Sequence, residues 1–229
     1  MAGGPWGPSG RGRCVNPERF RRIRAALDRR QPDLTVLMER VNKPHNFSAI
    51  LRNCDAVGVL QANVVLPEKE IDLHHHTSGG TKRWVQVRVH KTVESAAEAL
   101  KASGFRILAA HPTEKALDYR QVDFTRPVAF MVGAELDGLS EAGLSLADEA
   151  VQIPMLGMVH SLNVSVATAL LLYEALRQRQ AAGLYDESRL EEGEYHRLLF
   201  EASYPEIAQV LRSRNEPYPD LSPEGEFLP

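Results

Sequence analysis

Short, continuous apolar runs alternate with stretches of helical spacing along most of this 229-residue chain. The runs are Leu34–Val41, Ala62–Leu66, Trp84–Val89, Phe105–Ala110, Val128–Val132 and Ala150–Ile153. A strand reads as unbroken apolar sequence when both of its faces are buried, as in a parallel sheet covered by helices on each side. The alternation therefore predicts an α/β domain with a mostly parallel sheet flanked by helices. One helix opens at Pro44-His45-Asn46, carries Phe47, Ile50, Leu51, Cys54 and Val57 on one side, and stops at Gly58. Others are expected over Val93–Ala102, from Ser140 to Leu146, and from Val164 to about Ala182. Sheets of this kind hold ligands beyond the carboxyl ends of their strands. Polar residues found there, and not needed by the local structure, are the functional candidates.

Around this core the organisation reads as a Gly- and Pro-rich disordered tail over residues 1–15 and a basic helix over 16–31. The α/β domain follows over 32–183, then a helical extension with an acidic tail over 184–229. In the extension, Pro205 separates two short helical stretches. Two cysteines, Cys14 and Cys54, exclude a disulfide framework and a cysteine-rich zinc site. No apolar run approaches the roughly 18 residues of a membrane span, and the opening MAGGPWGPSGRGRC lacks a secretory apolar stretch. The expectation is a cytoplasmic protein with no membrane partner and no metal. The run His74-His75-His76, in a polar tract from Pro67 to Thr81, reads as a solvated loop.

Net charge is only −3, but it is segregated. Arg19, Arg21, Arg22, Arg24, Arg29 and Arg30 crowd the first helix, while Glu191, Glu192, Glu194, Glu201, Glu206 and later acids crowd the far end. Segregated arginine points to a localised anionic partner, and its planar fork suits phosphate.

Three segments hold polar residues in excess of local need. The first is Asn46–Arg52. Asn46 alone is explained by a helix cap worth about 1 kcal/mol. Arg52 shares a helix face with Ala49 and Ala56, which lets a ligand approach closely; the bland alternative is a surface arginine paired with Asp55 or another acid. The second is Val132–Ser140 (VGAELDGLS), where Glu135 stands in place of the second glycine of a dinucleotide fingerprint. A nicotinamide site is thereby disfavoured. The third runs from Ile153 to Ser165 (IPMLGMVHSLNVS), with Ser161 and Asn163 as natural caps at the mouth of a helix that is apolar nearly all round. Such a helix must be covered on most sides, as at a subunit interface. No GxSxG elbow is present, so an α/β-hydrolase is excluded.

Together the three segments resemble the signature motifs of the SpoU/TrmH family of RNA ribose 2′-O-methyltransferases. Residues 29–59 and 153–185 are similar to the branch that methylates guanosine 18 of tRNA. The resemblance implies a C-terminal deep trefoil knot of the SPOUT type, S-adenosylmethionine as methyl donor and a homodimer. Ribosomal-RNA members often carry an amino-terminal RNA-binding domain; none precedes the motifs here, which favours tRNA. By position, Ala110, Gly133, Ile153 and Leu162 are implied to hold the cofactor. Asn46, Arg52, Glu135, Ser161 and Asn163 stand where the family keeps its catalytic and site-shaping residues.

A guanidinium pKa above about 12 makes Arg52 a costly free base, so it either clamps a phosphate or stabilises the developing alkoxide. Recognition of tRNA is expected from Arg19, Arg21, Arg22, Arg24, Arg29, Arg30, Lys43, Lys82, Arg83, Arg177 and Arg179. His160 departs from the glutamine usual at that place. The alternatives are another RNA site, ribosomal or in the anticodon loop, and a non-catalytic RNA-binding module on the same fold.

Overall fold

A computed structural model describes residues 15–66, 84–134 and 137–228. It divides into two compact units, one spanning Arg30–Arg189 and the other joining the chain up to Arg29 with everything from Leu190 onward. The predicted disordered tail (but for Val15), the His74–His76 loop, Lys82, Arg83 and Glu135 lie outside the described residues.

After α1 (Pro17–Leu27), which belongs to the smaller unit, the chain builds a seven-stranded sheet. In order come β1 (Leu34–Glu39), α2 (Pro44–Ala56), β2 (Gln61–Val65), β3 (Gln86–His90), α3 (Val93–Ala102) and β4 (Arg106–Ala110). Then follow β5 (Leu117–Asp118), a 3-10 turn at Tyr119–Gln121, β6 (Val128–Val132), α4 (Glu141–Leu146), β7 (Glu149–Gln152) and α5 (Val164–Ala181). The sheet order is β3-β2-β1-β6-β4-β7-β5, and every pairing is parallel.

The unbroken apolar runs have the predicted cause. In β1, Val36 and Met38 enter a core with Ile50 and Leu51 of α2 and Leu171, Leu172 and Ala175 of α5. Leu37 points the other way, into a core with Ala96, Ala97 and Leu100 of α3. In β6, Phe130 serves the first core and Met131 the second. Alternate residues on a strand face opposite sides, so a strand buried twice must be apolar throughout.

One polar chain crosses this interior. The His90 Nε2–H donates to Asn63 Oδ1 (2.9 Å), Asn63 Nδ2 to Thr35 Oγ1 (3.0 Å), and Thr35 Oγ1 to the Gln61 carbonyl (2.6 Å). Burial, and then the nearby Arg88 charge, push the His90 pKa below its ordinary value.

In the smaller unit, Asn16 caps α1 by accepting from the Glu18 and Arg19 amides, and Phe20, Ile23 and Leu27 bury one stripe. That stripe packs in a unit with α6 (Glu192–Ser203) and α7 (Pro205–Ser213). Tyr195 donates to Asp28 at 2.7 Å, and the Phe200 and Tyr218 rings stack 4.6 Å apart. The basic helix and the C-terminal extension, expected as separate appendages, are thus parts of one unit. No described helix is long and apolar enough to cross a membrane.

Candidate active site

Two strands and one helix open a cleft of about 320 Å³ at the carboxyl edge of the sheet. Ala110 and His111 line it from the end of β4, Ile153 from the end of β7, and Leu162 from the loop before α5. Leu171 of α5 and Val151 of β7 add apolar wall. Among the described residues, the backbone of residues 154–162 forms no main-chain hydrogen bond. This stretch, in which Met155, His160, Ser161 and Leu162 line the cleft, thus keeps its carbonyls and, apart from Pro154, its amides free of main-chain partners, and unmet backbone groups call for a ligand, partner or water.

Three of the four positions implied for the cofactor, Ala110, Ile153 and Leu162, line this cleft. Gly133 is not in its wall. It leaves β6 next to β4, where Ala109 stands opposite Met131 in the parallel register. His111 is a lining residue that the sequence reading missed, although it directly follows an apolar strand; His160 and Ser161 also line the cleft.

The first and third motif segments meet beside this edge. Asn163 caps α5, its Oδ1 accepting from the Ser165 amide at 2.8 Å, while its Nδ2 donates to Asn46 Oδ1 at 3.0 Å. Asn46 is buried and is not a cap: Lys43 occupies the cap position of α2, and Asn46 sits inside the first turn with its side chain turned to α5. A second tie, from Asn53 Nδ2 to the Ser165 carbonyl at 3.0 Å, joins the same two helices. Ser161 is exposed and does not cap α5.

Between these ties α2 presents Arg52, exposed and without an ion-pair partner among the described residues. The alternative of an Arg52–Asp55 pair is removed, because Asp55 accepts from Arg30 Nη2 at 2.6 Å. A cation held on a helix tied at both ends, yet unpaired itself, can meet an anion that arrives from solution. Cys54, two residues further along the same helix, is buried with its thiol pushed up to about 12 by burial, and is chemically quiet.

The expected RNA-binding residues divide in two. Arg19, Arg21, Arg22, Arg24, Arg29 and Lys43 are exposed. Arg30 is not: it is buried, with Nη1 donating to the Val59 carbonyl at 3.1 Å and Nη2 to Asp55. Arg179 is fully buried and donates to the Phe124, Arg126 and Asp33 carbonyls, Gln31 Oε1 and Asp33 Oδ1. Arg189 shares the Asp33 carboxylate at 2.6 Å. Burial alone would raise the Asp33 pKa, but the hydrogen bonds from Arg189 and Arg179 outweigh it and hold it below the usual carboxylate value. Arg30 and Arg179 are therefore internal clamps rather than phosphate contacts, because both side chains are buried and bonded within the fold. Arg177 is exposed but engaged with Glu174 at 2.7 Å. Among the described residues no group of three or more His, Cys, Asp or Glu could hold a metal ion.

With this geometry in view, comparison with known proteins is specific. A family model described as the SpoU rRNA methylase family matches residues 33–173, and one described as its C-terminal region matches residues 177–229. The tRNA (guanosine(18)-2′-O)-methyltransferase of Escherichia coli K12 is 49% identical over 215 residues, covering 93% of this chain and 94% of that protein. The Aquifex aeolicus TrmH/SpoU tRNA modifying enzyme has a crystal structure that matches with a TM-score of 0.76 at 39% identity, over 83% of this chain and 97% of that one. The SpoU methyltransferase AviRb of Streptomyces viridochromogenes, in complex with the cofactor AdoMet, matches with a TM-score of 0.56 at 29% identity, over 67% and 59% of the two chains.

Proposed function

The chain belongs to the SpoU rRNA methylase family, and from that premise and the site geometry we propose that it transfers a methyl group from S-adenosylmethionine to the ribose 2′-hydroxyl of guanosine 18 in the D-loop of tRNA. The single observation that supports the chemistry is the Asn163–Asn46 hydrogen bond, which ties the helix that carries the exposed Arg52 to the segment that follows the cleft-lining Leu162.

The cleft fits the donor. Its apolar walls suit the faces of an adenine, and its unpaired amides and carbonyls suit the edge. Ala110, Ile153, Leu162 and the backbone at Gly133 would hold it. Bound there, S-adenosylmethionine supplies a sulfonium methyl group, which passes to the 2′-oxygen as the carbon–sulfur bond breaks and S-adenosylhomocysteine leaves. Around that step the chain orients and neutralises. Arg52 holds the phosphate next to the target ribose and offers its charge to the developing alkoxide. A bound phosphate oxygen takes the 2′-proton, since a guanidinium does not give up its own. Asn46 and Asn163 fix the two helix starts that frame the site, and Ser161 lines the cleft next to them. Positive charge is lost in the transfer, so exclusion of water by the apolar walls favours it.

Substrate capture falls to the exposed Arg19, Arg21, Arg22, Arg24, Arg29 and Lys43, with Lys82, Arg83 and Arg177 as further contacts. Phosphate contacts of this kind fix position and make binding salt-dependent.

A homodimer belongs to this reading. Leu156 and Met158 are 99% and 93% exposed, and Val159, Val166, Leu170 and Tyr173 continue the apolar surface along α5. Apolar surface of that kind supports a second copy as its cover. The trefoil threading is also part of the reading, supported by the insertion of β7 between β4 and β5 and by the return of the following segment to α2. A cytoplasmic location is consistent with a tRNA substrate.

Nucleoside mass spectrometry of an unmodified tRNA incubated with protein and S-adenosylmethionine tests the chemistry. The expected product is 2′-O-methylguanosine; base-methylated guanosine, or tRNA bound without product, would contradict it.

A further inference from the structure

Glu39 ends β1, a strand otherwise without a charge, and is buried. A carboxylate in that place is costly unless its oxygens are met. Both are met by one residue 101 positions away: Ser140 Oγ donates to Oε1 at 2.5 Å, and the Ser140 amide donates to Oε2 at 3.0 Å. The Ser140 hydroxyl in turn accepts from the Gly143 amide at 2.9 Å as the cap of α4. Gly143 has no room for a side chain, since a β-carbon there would lie 2.6 Å from Glu39 Oε2.

Ser140 stands at the foot of the turn that follows β6. The two legs of that turn are locked together: the Ala134 amide donates to the Gly138 carbonyl at 3.0 Å, and the Gly138 amide donates back to Ala134 at 2.9 Å. Gly133 is pressed against the returning leg, where a β-carbon would fall 2.1 Å from the Gly138 carbonyl carbon. From the Glu39 carboxylate to the Gly133 backbone the connection therefore runs through backbone and one short side chain.

We propose that Glu39 is a positioning residue that fixes, through Ser140, the backbone of Gly133 beside the cleft and so sets the affinity for S-adenosylmethionine. The proposal rests on the functional reading above. Glu39 offers two acceptor oxygens, and Ser140 supplies one donor to each.

The test is calorimetric titration of S-adenosylhomocysteine into the full-length protein. Glu39→Gln, Ser140→Ala and Ser140→Thr are compared with wild type, alongside unfolding midpoints and cofactor-free tRNA binding. Glu39→Gln and Ser140→Ala are expected to weaken S-adenosylhomocysteine by about tenfold or more, the loss of a hydrogen bond to a charged group. Their tRNA binding is expected to stay within about twofold, below what the loss of one such bond would cost. Ser140→Thr, which keeps the hydroxyl, should restore affinity. Wild-type affinity in folded Glu39→Gln would overturn the proposal, as would parallel loss of tRNA binding and stability. If Glu39→Gln does not fold, Ser140→Ala decides by the same criteria. Wild-type protein that binds no S-adenosylhomocysteine would instead overturn the functional reading.

Discussion

Asn163 Nδ2 lies 3.0 Å from Asn46 Oδ1, so the start of the last helix on the sheet is bonded to the start of the helix that carries Arg52. Asn46→Ala leaves the Asn163 amide without this acceptor and frees one end of the frame. Turnover is expected to fall by on the order of 10²-fold, as for a small misplacement of reacting groups. A steady-state assay on tRNA checks this, and an unchanged turnover number would separate the bond from catalysis.

Arg52→Ala is expected to abolish measurable turnover, a loss of roughly 10²–10³ or more. Because Arg52 has no partner among the described residues, S-adenosylhomocysteine affinity and the unfolding midpoint should stay near wild type. Loss of activity, cofactor binding and stability together would make Arg52 structural.

The arginines should separate into two classes. Arg21/Arg22→Ala removes two exposed cations; the apparent KM for tRNA should rise, and the slope of log affinity against log salt should flatten by roughly 1–2. Arg179→Ala strips donors from the Phe124, Arg126 and Asp33 carbonyls inside the core. Its expected cost is about 3–5 kcal/mol of stability, read from urea unfolding. A stable Arg179→Ala variant defective only in tRNA binding would return this residue to the RNA surface.

Much of this architecture was legible along the chain, because its cause is local. Val128–Val132 is a strand with the predicted ends, and Ser140 caps a helix ending at Leu146, since unbroken apolar runs and caps are properties of neighbours in sequence. Leu117–Asp118 was not legible: two residues carry no periodicity, and β5 exists only because β7 pairs with it. Arg30 and Arg179 read as surface charge because nothing nearby in sequence announces Asp55 or Asp33 as partner. The same distance hid the Glu39–Ser140 pair and turned Asn46 from an apparent cap into a tie between helices.

Acid should destabilise the protein in two stages. His90 has a folded pKa below its unfolded value of about 6.5, so its contribution is complete above that pH and declines as pH falls toward the folded value. Asp33 has a folded pKa below its unfolded value near 4, so its contribution holds above that pH and is lost as pH falls through the folded value. Urea midpoints from pH 8 to pH 3 follow both, and His90→Gln should remove the first stage alone. A midpoint flat from about pH 6.5 down to about pH 5 in wild type would contradict the assignment to His90.

Leu156→Glu/Met158→Glu places two charges on the exposed apolar loop before α5. Light scattering after gel filtration should report a dimer for wild type and a monomer for the variant. A monomeric wild type would contradict the proposed cover for this surface.

The central claim is tested most directly with two unmodified tRNA transcripts, identical except that position 18 is guanosine in one and adenosine in the other. Each is incubated with purified protein and methyl-labelled S-adenosylmethionine. Label on the guanosine transcript alone, mapped to the ribose of residue 18, is the predicted result. Label on both transcripts, or on neither while the protein still binds them, would contradict it.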